Sequence, residues 1–138
     1  MGKIALVILC LFIYPILGQT QVQPHEKADN LKHQTFVAKV IRILDGDTME
    51  ILYQNRPVKI RLAHIDCPEK RGTQPFGDHG KKALADLCFG QNVTVYGEKY
   101  DRNKRLIAVV VNGKKQVVNQ EMIKQGMAWH FKRYSKDG

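Results

Sequence analysis

The sequence predicts an α+β domain, a five-stranded β-barrel carrying two helices, and three observations predict it. Five short runs rich in β-branched and aromatic residues are separated by tight-turn dipeptides or loops. Two segments with apolar residues at helical spacing follow the third and fifth runs. The chain has 138 residues, enough for one domain with a real core and too few for two.

Phe36 to Leu44, Thr48 to Tyr53 and Val58 to Ile65 are the first three strands. Asp45-Gly46 and Gln54-Asn55 supply the turns between them, so the three form a meander. Cys67-Pro68, Gly72, Pro75 and Gly77 then interrupt the pattern. Proline cannot donate to a ladder, so this stretch is expected as a surface loop. Over residues 76–89, Phe76, Gly80, Ala83, Leu84, Leu87 and Cys88 share one helical face, with Lys81, Lys82 and Asp86 away from it. Gly90 suits the stop of that helix. Val93 to Tyr96 and Leu106 to Val111 are the last two strands, separated by a charged loop over residues 98–105. Asn112-Gly113 is a hairpin signal, and Val118, Met122, Ile123 and Met127 trace a second helix ending near Gly126. The order β-β-β-α-β-β-α, with a helix between the third and fourth strands, is that of the OB-fold.

The N-terminus reads as a signal peptide over residues 1–18. Lys3 is its positive region, Ile4 to Leu17 an apolar run, and Gly18 a small residue before the cleavage point. The run is shorter than the roughly 20 residues a spanning helix needs. A retained anchor is the competing reading. Residues 19–34 are polar and aperiodic and are expected as a flexible leader, followed by the barrel domain over 35–138. The protein is therefore expected to be secreted or periplasmic, monomeric, and without stable membrane association after cleavage.

Lys and Arg number 22 against 13 Asp and Glu, a formal net charge of +9, and loss of Lys3 lowers this by one. The excess favours an acidic partner such as nucleic acid, although it also serves solubility alone. Cys10 leaves with the signal segment, while Cys67 falls in a turn and Cys88 late in a helix; both are expected as unpaired thiols. No Cys/His set has zinc spacing.

The acids are more informative. Asp47 stands where the first strand turns into the second, and Asp66 directly follows the third. In a meander the second strand begins and the third ends at the same end of the sheet, so Asp47 and Asp66 can converge, with Glu69 nearby. Carboxylates gathered in this way repel unless a cation is present, and an oxygen-only set suits Ca²⁺ or Mg²⁺. Each motif taken alone is also an ordinary turn former. Arg61 lies five positions before Asp66, on the opposite side of a regular pleat, so the strand end must bend for both to face one site. Arg105 ends the charged loop. A guanidinium matches phosphate oxygens with paired hydrogen bonds, though a solvated salt bridge is the plainer role for each.

Over residues 36–134 the chain resembles the staphylococcal nuclease (thermonuclease-like) family. The matching words are Ile43-Leu44-Asp45-Gly46-Asp47-Thr48, Ile60-Arg61-Leu62, Ile65-Asp66-Cys67-Pro68-Glu69, Tyr100-Asp101-Arg102 through Arg105, and Asn119 to Ala128. The resemblance implies calcium held by the carboxylates of Asp47 and Asp66 and the backbone carbonyl of Cys67. It implies Glu69 as the residue that orients or deprotonates the attacking water, and Arg61 and Arg105 as the phosphate clamps. The implied substrates are DNA and RNA. Arg102 and Lys104 are expected to meet the phosphate chain, and Phe131 and Tyr134 to offer stacking surfaces for bases. Trp129 offers a third such surface, but is expected in the barrel core instead.

The chain departs from the family in three places. The segment after Glu69 is shorter, Asn103-Lys104 replaces an aromatic-glycine pair before Arg105, and the family's third C-terminal helix is absent before Gly138. The last departure leads to an expectation of marginal stability. Two further readings stay open: a non-catalytic OB module that binds single strands, and an inactive truncated copy.

Overall fold

The computed structural model describes residues 30–68 and 75–130. The expected signal segment, most of the leader, Glu69, Phe131, Tyr134 and the end of the chain lie outside them. In chain order the elements are β1 (Thr35–Asp45), β2 (Thr48–Tyr53), β3 (Arg56–Leu62), β4 (Ile65–Asp66), α1 (Pro75–Cys88), β5 (Asn92–Tyr100), β6 (Leu106–Val111), α2 (Val118–Lys124) and β7 (Trp129–His130).

Five strands close into a barrel in the order β1-β2-β3-β6-β5. All neighbours are antiparallel except β3 and β6, which run parallel with Ile60 opposite Leu106. This is the OB-fold barrel the element order predicts. Alternation along the strands, interrupted by register shifts in the β1–β2 and β5–β6 ladders, gives the barrel its buried face. Val40, Met49, Ile51, Ile60, Val95, Leu106 and Val110 point inward and are fully buried, while their neighbours face solvent or a helix. Leu84 of α1 and Val118 and Met122 of α2 add fully buried side chains to the same core.

The turns follow their dipeptides. Gln54 and Asn55 both take positive φ, 48° and 62°, as a two-residue hairpin turn of the primed kind requires. Gly46 and Asp47 form the β1–β2 turn. After β6, Lys115, with φ 62°, takes the left-handed position of the Asn112-Gly113 turn, and a single bridge between Val111 and Val117 leads into α2.

Three features differ from the sequence expectation. The third strand does not run to Ile65. It breaks at Ala63-His64, where His64 has φ 63°, and resumes as β4. β5 continues to Tyr100, so the charged loop shrinks to residues 101–105. Trp129 is not core; it is 52% exposed. Beyond Gly126 (φ 73°) the chain leaves the helix and extends, so Ala128 turns inward and Trp129 outward. Two residues are too short a run to give a periodic signal, which is why β7 could not be foreseen.

Candidate active site

The bend at Ala63-His64 builds the site. Arg61 projects from the outer face of β3, and without the break Asp66 would face away from it. With it, Arg61 Nη2 lies 3.2 Å from Asp47 Oδ2 and 3.5 Å from Asp66 Oδ1. The two acids that the meander argument brings together therefore meet on one guanidinium nitrogen. Arg61 Nη1 is turned the other way, donating to the carbonyls of Leu62 and Ile65 at 2.9 and 3.0 Å. The same side chain thus holds the bend closed and offsets one of the two negative charges of the acid pair.

Backbone contacts fix the rest. The N–H of Leu62 donates to Asp47 O at 2.8 Å and that of Ala63 to Ala108 O at 2.8 Å. Thr48 Oγ1 donates to Asp47 Oδ1 at 2.9 Å, so one carboxylate oxygen faces the hydroxyl and the other faces Arg61. Asn119, buried on α2, accepts from the Val110 N–H and donates to the carbonyls of Ala63 and Ala108. It stitches the helix to the bend that orients Asp66. Nothing in the sequence marks this role except a polar residue between Val118 and Met122, two buried positions of the helix.

Arg105 is set by Asp101. Its Nε donates to Asp101 Oδ2 at 2.7 Å, and the N–H groups of Asn103 and Arg105 both donate to Asp101 Oδ1. Burial alone would push the Asp101 carboxyl up. The Arg105 and Asn103 N–H groups and the Arg105 guanidinium outweigh that and hold it below its ordinary value. The salt bridge weighed for Arg105 in the sequence is real, and it is made through Nε. Asp101 was missed as a functional candidate; its signal was the i,i+4 spacing to Arg105 across an Asx-type turn.

Arg105 faces a groove of about 360 Å³ lined by Leu44, Asp45, Thr48, Lys59, Asn103 and Arg105. Thr48 joins this groove to the acid pair. Lys59, two residues before Arg61 and on the same outward face of β3, adds a cation that the sequence reading passed over. Arg102 is exposed in the 101–105 loop, and Lys104 takes a left-handed conformation, φ 60°. Neither lines the groove. The placement of Glu69, Phe131 and Tyr134 lies outside the described residues.

Cys67 and Cys88 are both free and buried. Cys67 Sγ donates to Gly46 O at 3.3 Å, and its thiol is pushed up to about 12, mainly by burial and then by the charge of Asp47. The thiol is thus engaged with the β1–β2 turn. Among the described residues no three His, Cys, Asp or Glu side chains cluster as a metal-binding group. The donors that do converge are two carboxylates, already bridged by one cationic nitrogen. They fit a hard cation that completes its shell with carbonyl and water oxygens.

The chain matches the model of the family described as "Staphylococcal nuclease homologue" over residues 59–138. It is 48% identical over 100 residues to an "Uncharacterized endonuclease" of Haemophilus influenzae, covering 72% of this chain and 54% of that one. It is 39% identical over 109 residues to a "Micrococcal nuclease" of Shigella flexneri, covering 73% and 62%. It is 32% identical over 113 residues to "Staphylococcal-like nuclease CAN1" of Arabidopsis thaliana, covering 81% and 33%. The matched stretch is thus about half to three-fifths of the two bacterial proteins and a third of the plant one.

Proposed function

The chain belongs to the family of staphylococcal nuclease homologues, and from that premise we propose that it is a calcium-dependent endonuclease hydrolysing phosphodiester bonds in DNA and RNA. The observation that carries the proposal is the meeting of Asp47 and Asp66 on Arg61 Nη2, beside a cationic groove. A module that only bound nucleic acid would have no use for two carboxylates facing the phosphate. The nuclease names of the relatives support the same reading.

Asp47, Asp66 and the carbonyl of Cys67 would hold the cation, which when bound supplies Lewis-acid stabilisation of charge on the phosphoryl oxygens. Arg61 presents Nη2 to a phosphate oxygen while Nη1 stays on Leu62 O and Ile65 O. Arg105, held through Nε by Asp101, lines the groove, and its two terminal nitrogens would meet the phosphate there. Two such preorganised donors stabilise the equatorial oxygens as charge grows on them. Water oxygen bonds to phosphorus and one bridging P–O bond breaks. A water proton passes to Glu69, and the leaving oxygen takes up a proton from solvent.

The protein is further proposed to be exported through residues 1–18 and to act as a monomer free of the membrane. Arg102 and Lys104 are proposed to contact phosphates along the bound strand, and Phe131 and Tyr134 to meet its bases.

The test is cleavage of plasmid DNA and of a structureless RNA by the purified protein with Ca²⁺, with Mg²⁺ and with chelator. Cleavage of both substrates with Ca²⁺, abolished by chelator, is expected. Full activity in chelator overturns the metal role, and tight binding without cleavage in any condition favours the single-strand-binding alternative.

A further inference from the structure

We propose that Trp129 is a stacking platform for the unpaired base of the nucleotide next to the scissile phosphate. β4 and β7 pair antiparallel, with Asp66 directly opposite Trp129 and Ile65 opposite His130. Directly opposed residues of an antiparallel pair project from the same face, with Cβ atoms about 4.5–5.5 Å apart. The indole therefore stands beside the carboxylate that meets Arg61.

Singly exposed apolar residues are common on protein surfaces and need no explanation. Trp129 differs in its place. It is 52% exposed, with a large flat apolar face beside charged groups that face a phosphate in the proposed reaction. A base joined to that phosphate is within one nucleotide of the ring. An indole face suits any base, so the contact does not select sequence. It does require the base to be out of the helix stack, so it favours single strands and frayed duplex. The antiparallel pairing ties the platform to β4, so Trp129 and Asp66 keep their spacing. This proposal rests on the nuclease reading of the same site.

Trp129 is the only tryptophan of the chain, so its emission reports this position directly. The intact protein is titrated in Ca²⁺ with a phosphorothioate-linked oligothymidylate, and separately with the duplex it forms with oligoadenylate, while fluorescence anisotropy of a labelled strand monitors binding. Saturable quenching by the single strand, and much weaker quenching by the duplex, is expected. In parallel, Trp129→Ala raises KM for single-stranded DNA about tenfold with kcat nearly unchanged, and Trp129→Phe recovers most of the loss. Emission that stays constant while anisotropy shows the strand bound overturns the proposal, and this readout needs no variant to fold. Equal KM increases on single and double strands overturn it too. Quenching by a protein that cleaves nothing leaves the stacking site standing and removes the nuclease reading. Cleavage with unmoved emission and KM does the reverse.

Discussion

Gly46, in the turn between β1 and β2, lies directly against Gly80 of α1. A methyl group added at Gly46 would sit 3.2 Å from the Gly80 carbonyl carbon and 3.3 Å from its Cα. Both neighbours are backbone, so neither can step aside as a side chain would. The contact seats the turn that carries Asp47 onto the helix. Gly46→Ala is expected to cost about 1–3 kcal/mol as overpacking, and to lower nuclease rate more than stability alone explains, because Asp47 shifts with the turn. Thermal melting and initial rates of plasmid cleavage, measured together, check both parts.

Asn119 gives a second prediction. Its side chain satisfies three buried backbone groups, the Val110 N–H and the Ala63 and Ala108 carbonyls. The Ala108 carbonyl also accepts from the Ala63 N–H, so it keeps a partner without Asn119. Asn119→Ala leaves the Val110 N–H without this acceptor and loosens the bend before Asp66. A loss of about 2–4 kcal/mol is expected from the unsatisfied groups, measured by urea denaturation. A loss below about 0.5 kcal/mol would show that water replaces the side chain without penalty.

The barrel was legible in the sequence because its signals are local. Val40, Met49, Ile51 and Ile60 lie in short runs rich in β-branched and apolar residues, and Gln54-Asn55 names its own turn. The convergence of Asp47 and Asp66 was legible in part: the meander places both at one end of the sheet, but their meeting on Arg61 also needs the break at His64. What stayed hidden depends on contacts between distant segments. The break at His64 is stabilised by Arg61, Asn119 and the Ala63–Ala108 bond, none visible in residues 60–66 by themselves. Trp129 read as core because a large aromatic usually is. Its exposure is decided by where the chain leaves α2.

Asp101 carries an acid-side prediction. Its folded-state carboxyl titrates below its ordinary value, because Arg105 and Asn103 stabilise the charged form. A carboxyl so shifted adds stability above the unfolded value of about 3.9, and that stability is lost as pH falls through the lower folded value. Asp101→Asn should therefore flatten the pH dependence of stability below about pH 4. Its rate at neutral pH should also fall, since Arg105 loses the partner at Nε. Melting temperatures from pH 2 to 6, beside kcat at pH 7, test both.

The thiols titrate on the alkaline side. Burial pushes Cys67 and Cys88 each up to about 12, so the folded state keeps them protonated where the unfolded chain would lose the proton. Their contribution is complete below the unfolded value of about 8.5 and declines as pH rises toward the folded one. In the native protein at pH 8 both should resist a thiol reagent and become reactive on denaturation, with peptide mapping by mass spectrometry to assign the sites. Fast labelling of native Cys67 would mean that the β1–β2 turn opens readily.

We propose that the Asp47–Arg61–Asp66 cluster and Arg105 form one phosphodiester-cleaving site. The most direct test is the initial rate of plasmid hydrolysis by Arg105→Ala in saturating Ca²⁺, with melting temperature recorded on the same sample. Arg105 stands at the rim of the groove and is absent from the buried core, so its truncation should leave the barrel folded. A fall in kcat of at least about 10²-fold is expected, the loss for one preorganised donor to the transition state. A folded Arg105→Ala protein that cleaves at the unmodified rate would contradict the proposal.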